Sequence, residues 1–67
     1  MSADTYEVEA GGKAWTERAW NPTNAAKKAS YMVGRDAVIR VRTRVFGWRS
    51  YRVLGNRYVL PMGTDHD

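Results

Sequence analysis

The chain has 67 residues with a formal net charge of +4, enough for one small domain, residues 1–67, that buries only roughly 60% of the surface its unfolded form exposes and leaves little room for an internal catalytic pocket. The absence of cysteine excludes a disulfide framework and any thiolate metal site, so the fold rests on packing alone. No apolar run approaches the ~20 residues that span a bilayer, and the acidic opening MSADTYEVEA is unlike a secretory leader, so the expectation is a cytoplasmic protein with no membrane partner.

Charge is distributed unevenly. Residues 1–34 balance four bases against four acids, whereas residues 35–62 hold seven arginines and one acid, Asp36. Arginine, with its planar fork of donors, suits phosphate and carboxylate and stacks on flat rings, so the C-terminal half points to an anionic partner.

In chain order, TYEVEA and KAWTERAW flank Gly11-Gly12, a pair able to supply the positive φ angles of a tight turn, which predicts a hairpin over about 5–19. In WNPTNAAKKASYMVG, Asn21 is placed to cap a helix, Pro22 to occupy its first position and Gly34 to close it in a left-handed conformation. Ala25, Ala29, Met32 and Val33 then form one apolar stripe, with Asn24, Lys27, Lys28 and Tyr31 towards solvent.

From Val38 the period changes to two. Ile39, Val41 and Val45 alternate with Arg40, Arg42 and Arg44. A three-residue loop at Phe46-Gly47-Trp48 keeps like faces together, setting Val41 against Val53 and Arg42 against Arg52. A two-residue turn at Gly55-Asn56 sets Val53 against Tyr58 and Tyr51 against Leu60. Pro61 suits an edge or a strand end, and residues 62–67 are expected to fray.

The expected fold is therefore α+β: an antiparallel sheet of about five strands in the order ββαβββ, with one helix packed on one face. Ile39, Val41, Val45, Tyr51, Val53, Tyr58 and Leu60 would meet the helix, joined by Tyr6, Val8 and Trp15. The other face would display Arg40, Arg42, Arg44, Arg52 and Arg57, with same-face neighbours about 6.5–7 Å apart along a strand.

Two readings of this row stand side by side. Like charges directly opposite on a sheet repel, so compensation is needed, and Glu7 and Glu9 supply it if the first hairpin lies next to the Arg40 strand; the row is then a solvated face. Alternatively the arginines meet phosphates, whose spacing along a DNA strand is close to that of alternate strand residues. Trp48, Trp20, Tyr31 and Phe46 would add stacking surface or interface anchors, unless they fill the core. Lys27 and Lys28 are candidate contacts or plain solvation.

Catalysis has little support. His66 is the only histidine and lies in the tail, so a nucleophile with a positioned imidazole is hard to build, and no catalytic residue is assigned. Asp65, His66 and Asp67 are consecutive and fall short of a rigid metal site, and no phosphate-loop spacing occurs. No metal, cofactor or enzymatic activity is expected.

A hairpin, a short helix carrying AAKKAS and a basic meander with aromatic turns, from Thr5 to Val59, resembles in length and element order the small phage-encoded proteins that disable bacterial defences, including a type I-F anti-CRISPR inhibitor. The resemblance implies a non-enzymatic inhibitor of phage or mobile-element origin, acting in the host bacterial cytosol. It would dock on the backbone subunits of a CRISPR effector complex, block guide–target pairing and hold DNA non-specifically, with Lys27, Lys28 and the sheet arginines meeting partner or DNA. The alternatives are an autonomous nucleic-acid-binding module and, further off, a toxin-like ribonuclease using arginine and tyrosine. The candidate contact set is Arg40, Arg42, Arg44, Arg52, Arg57, Lys27, Lys28, Tyr31 and Trp48.

Overall fold

Gly11 and Gly12 both adopt left-handed backbone, with φ of 60° and 78°, the pair of angles that a two-residue turn between twisted strands demands. The structure is a computed structural model that describes residues 3–44 and 47–65. This turn joins β1 (Asp4–Ala10) to β2 (Lys13–Ala19), with Val8 opposite Trp15 and Ala10 opposite Lys13. Asn21 then caps α1 (Pro22–Ser30), its side-chain oxygen accepting from the Asn24 amide at 2.8 Å, and Pro22 stands where a missing N–H costs nothing.

β3 (Val38–Thr43), β4 (Gly47–Val53) and β5 (Val59–Asp65) complete one antiparallel sheet in the order β2-β1-β3-β4-β5. Since β1 is antiparallel to both β2 and β3, those two run parallel to each other, and α1 is the crossover between them. The helix therefore lies over the sheet face it must cross. The α+β class, the five strands, the ββαβββ order and the single helix on one face all agree with the sequence reading.

The helix meets the sheet through small side chains. Ala25, Ala26, Ala29 and Ser30 are buried against Val8, Ile39, Val41, Tyr51 and Val53, with Tyr6, Trp15 and Val59 packed at the margin. Tyr51 keeps its polar end satisfied through a 3.2 Å hydrogen bond with the Thr23 hydroxyl. No helix among the described residues is long and apolar enough to cross a membrane.

Several local expectations are corrected. The helix ends at Ser30, with right-handed Tyr31 as its cap, and Gly34 does not adopt the left-handed conformation assigned to it. Met32 thus falls past the last helical turn and is exposed, while Ser30 takes the inward position. In the β3–β4 hairpin Thr43 pairs with Gly47, so the three-residue loop is 44–46, of which Val45 and Phe46 lie outside the described residues. Gly47, at φ 72°, opens β4 instead of sitting mid-turn. This displacement keeps like faces together but changes every partner: Val41 faces Arg49, Ile39 faces Tyr51, and Arg42 faces Trp48 instead of Arg52.

The β4–β5 connection differs by one residue. Leu54 and Tyr58 close the loop, and Arg57 takes φ 69° within it, so Val53 pairs with Val59 instead of Tyr58. That single step turns Val59 inward and leaves Tyr58 and Leu60 exposed. A bulge follows: Tyr51 pairs with Pro61 and Ser50 with Gly63, so Met62 is the extra residue on the outer strand. Pro61 is indeed on an edge strand, where its missing N–H spoils no inner ladder. β5 continues to Asp65, into the segment expected to fray. His66 and Asp67 lie outside the described residues.

Candidate nucleic-acid and partner interfaces

The structure divides the nine candidate contact residues among three places. Five arginine and tryptophan side chains share the uncovered sheet face and the turn at its end: Arg40 and Arg42 on β3, Arg44 just beyond it, and Trp48 and Arg52 on β4. Lys27, Lys28 and Tyr31 lie on the outer side of α1. Arg57 belongs to neither.

Arg57 was expected on the open face. Its left-handed loop position sends it to the end of the helix, where its guanidinium donates to the carbonyls of Ser30 (2.7 Å) and Val33 (2.5 Å). The last carbonyls of a helix have no partner within it and carry the negative end of the helix dipole, so a cation that also donates satisfies both needs. Arg57 is structural.

On the open face, β1 neighbours β3 in a register that sets Glu7 opposite Arg42 and Glu9 opposite Arg40. Arg42 meets Glu7 at 3.3 Å, Arg40 meets Glu9 at 3.5 Å, and Arg44 meets Asp4 at 3.2 Å. Arg52, opposite Val38, approaches Asp36 at 3.8 Å. The internal compensation weighed from the sequence is thus realised, and the expected repulsion between Arg42 and Arg52 does not arise. These pairs are well exposed to solvent, so each contributes only ~0.2–1 kcal/mol. Their larger effect is electrostatic: a guanidinium with a carboxylate beside it projects little field beyond contact range. Arg40 also lies 5.0 Å from the Trp48 ring centre, within cation–π reach. Trp48 is consequently a half-buried part of this face, braced by Arg40.

Away from this face, the end of β2 and the outer side of α1 enclose a shallow concavity of about 370 Å³. Ala3 and Ala19 contribute to its apolar lining, Trp20 and Tyr31 are its aromatic members, and both rings are more than 60% exposed. Lys27 and Lys28 supply its charge, Arg18 borders it through the backbone, and no acidic residue among the described residues lines it. The Lys28 ammonium donates to the Arg18 carbonyl at 2.5 Å, fastening helix to strand, while the Lys27 ammonium lies 5.8 Å over the Tyr58 ring. Sequence reasoning named Lys27, Lys28 and Tyr31 here, mentioned Trp20 only as a possible stacker, and missed Arg18. The spacing of Asn24, Lys27, Lys28 and Tyr31, one face of a helix that begins two residues after Trp20, is the signal that connects them.

Among the described residues no group of three or more histidine, aspartate or glutamate side chains is gathered in a way that could hold a metal ion. A comparison of the chain with protein-family models, with curated proteins and with solved structures found no match.

Proposed function

We propose that this chain is a non-enzymatic binding protein of the anti-CRISPR kind, which docks through its uncovered sheet face on a bacterial nucleoprotein effector complex and blocks nucleic-acid recognition there. One observation carries the docking part of the reading: the open face presents a row of arginines, each already held by a carboxylate, around a tryptophan braced by Arg40. Guanidinium groups held in place lose little conformational freedom on binding, and arginine and tryptophan are the side chains that most often anchor protein interfaces. A mixed ladder of both signs complements another protein's mixed surface better than a uniformly negative phosphate backbone, which the acids would repel. The choice of a CRISPR complex, and a phage origin, rest on the resemblance in size, element order and basic meander.

The test is a titration of the purified protein against purified CRISPR surveillance complexes, with Trp48→Ala and Arg42→Glu variants alongside. The expected result is stoichiometric binding that weakens at least about tenfold in each variant, as interface anchors do. Binding to free duplex DNA as tight as to any complex would overturn the reading in favour of a stand-alone nucleic-acid-binding module.

A further inference from the structure

We infer that the concavity between β2 and α1 is a second binding site, one that takes an unpaired nucleotide of a single-stranded nucleic acid, with the base stacked on Trp20, Tyr31 bordering it, and the flanking phosphates on Lys27 and Lys28. It is separate from the sheet face proposed for docking, and its argument does not depend on that proposal.

Three observations converge on it. First, the site has the make-up that single-strand binders use, flat aromatic surface for bases bordered by cations for the backbone. Trp20 and Tyr31 are among the most exposed large side chains of the molecule, at 62% and 65%, although both line the hollow rather than standing alone on a convex surface. Second, the charge here differs in kind from that of the sheet face. Arg40, Arg42, Arg44 and Arg52 each have a carboxylate close by, whereas Lys27 and Lys28 have none among the described residues. Of the two basic surfaces, this one therefore keeps its field. Third, the walls are held together: the Lys28 ammonium has three N–H bonds, of which one fixes it to the Arg18 carbonyl, leaving donors for an anion. The volume of about 370 Å³ is at the small end of the roughly 300–1,000 Å³ typical of ligand pockets, which suits one base and its sugar.

The expected ligand chemistry, an exposed base with a phosphate on either side, is common to single-stranded DNA and RNA. The experiment is fluorescence anisotropy of labelled oligo(dT) and oligo(U), with a mixed-sequence duplex as the third arm, each at two salt concentrations. The proteins are wild type, Trp20→Ala, Lys27→Gln/Lys28→Gln and, as a control at the far end of β2, Lys13→Gln. Circular dichroism establishes that each variant is folded, and because Trp20 is exposed, its replacement leaves the core intact. The expected result is that wild type binds single strands in preference to duplex and that Trp20→Ala weakens binding about tenfold, the loss of one stacked base. The double lysine variant should lower the logarithmic salt slope by about 1.4, about 0.7 for each phosphate contact on a single strand, and Lys13→Gln should have no effect. If oligo(dT) and oligo(U) bind equally, the site reads the shared ring and phosphate; if one binds far better, it also reads the sugar hydroxyl or the thymine methyl, and either result supports the inference. Absence of single-strand binding by wild type at low salt, equal or tighter binding of duplex, or an undiminished affinity of folded Trp20→Ala would overturn it. Failure at the groove leaves the titration on surveillance complexes unaffected, so the two proposals fail separately.

Discussion

Arg57 shows how one backbone angle reassigns a side chain. Counted by alternation it belongs to the arginine row, but its φ of 69° places it in the loop, and its guanidinium closes the carboxyl end of α1. Arg57→Ala should cost about 1–3 kcal/mol, because two carbonyls lose a charged donor. In a domain of this size a loss of that order lowers the melting temperature by roughly 4–8 °C per kcal/mol. Arg57→Gly should be the milder change, since glycine adopts the left-handed angle without a Cβ penalty. Urea unfolding that ranks alanine no worse than glycine, or finds both equal to wild type, would remove Arg57 from the helix end. Nothing in the local sequence announces this role. It depends on the helix ending at Ser30 and on a loop one residue longer than Gly55-Asn56 suggests. Ile39, Val41, Tyr51 and Val53, by contrast, were readable as core because alternation alone sets their face, whichever partner they meet.

At the level of elements, legibility follows the strength of local chemistry. The first hairpin was readable to within a residue because its two glycines leave one comfortable turn, and the helix start because Asn21 and Pro22 each suit a single position. Asn21→Ala should destabilise the domain by about 1 kcal/mol, the usual worth of an N-cap, while leaving the slope of the denaturation curve unchanged. A shift in that slope would mean that the helix frays independently of the sheet. The helix end and the last two hairpins were less legible for a common reason. They depend on contacts distant in sequence: Asp36 donates its amide to the Val53 carbonyl, and the Arg57 side chain spans to the carbonyls of Ser30 and Val33. A slip of one residue in β5 then exchanged Val59 for Tyr58 and Leu60 in the core list.

For the whole molecule, the deciding fact is that β1 lies between β2 and β3, which brings Glu7 and Glu9 to Arg42 and Arg40. The sequence contained the clue, since acids descend along β1 as arginines ascend along β3, the complementarity expected of antiparallel neighbours. It did not say which strands were neighbours, so the two readings of the row stayed level. Glu7→Gln/Glu9→Gln removes two negative charges and raises the formal net charge from +4 to +6. The variant should elute from heparin at distinctly higher salt while losing only ~0.2–1 kcal/mol of stability per exposed pair. Unchanged elution would mean that the carboxylates do not restrain the arginines in solution.

The central position of β1 also governs the order in which the molecule can assemble. Its first partner, β2, is separated from it by two residues, but its second, β3, by twenty-seven, 11–37, which include the whole helix. Contacts that distant in sequence are slow to form because the chain between them must first be closed into a loop. A nascent chain that has emerged only as far as α1 therefore holds a hairpin with one side of its central strand open and a helix with little to lie against. Pairing of Val8 with Val41 is the event that joins the two halves, and the charged couples on either side of it favour that register over its neighbours, so the same arginines that form the surface also guide the closure of the sheet.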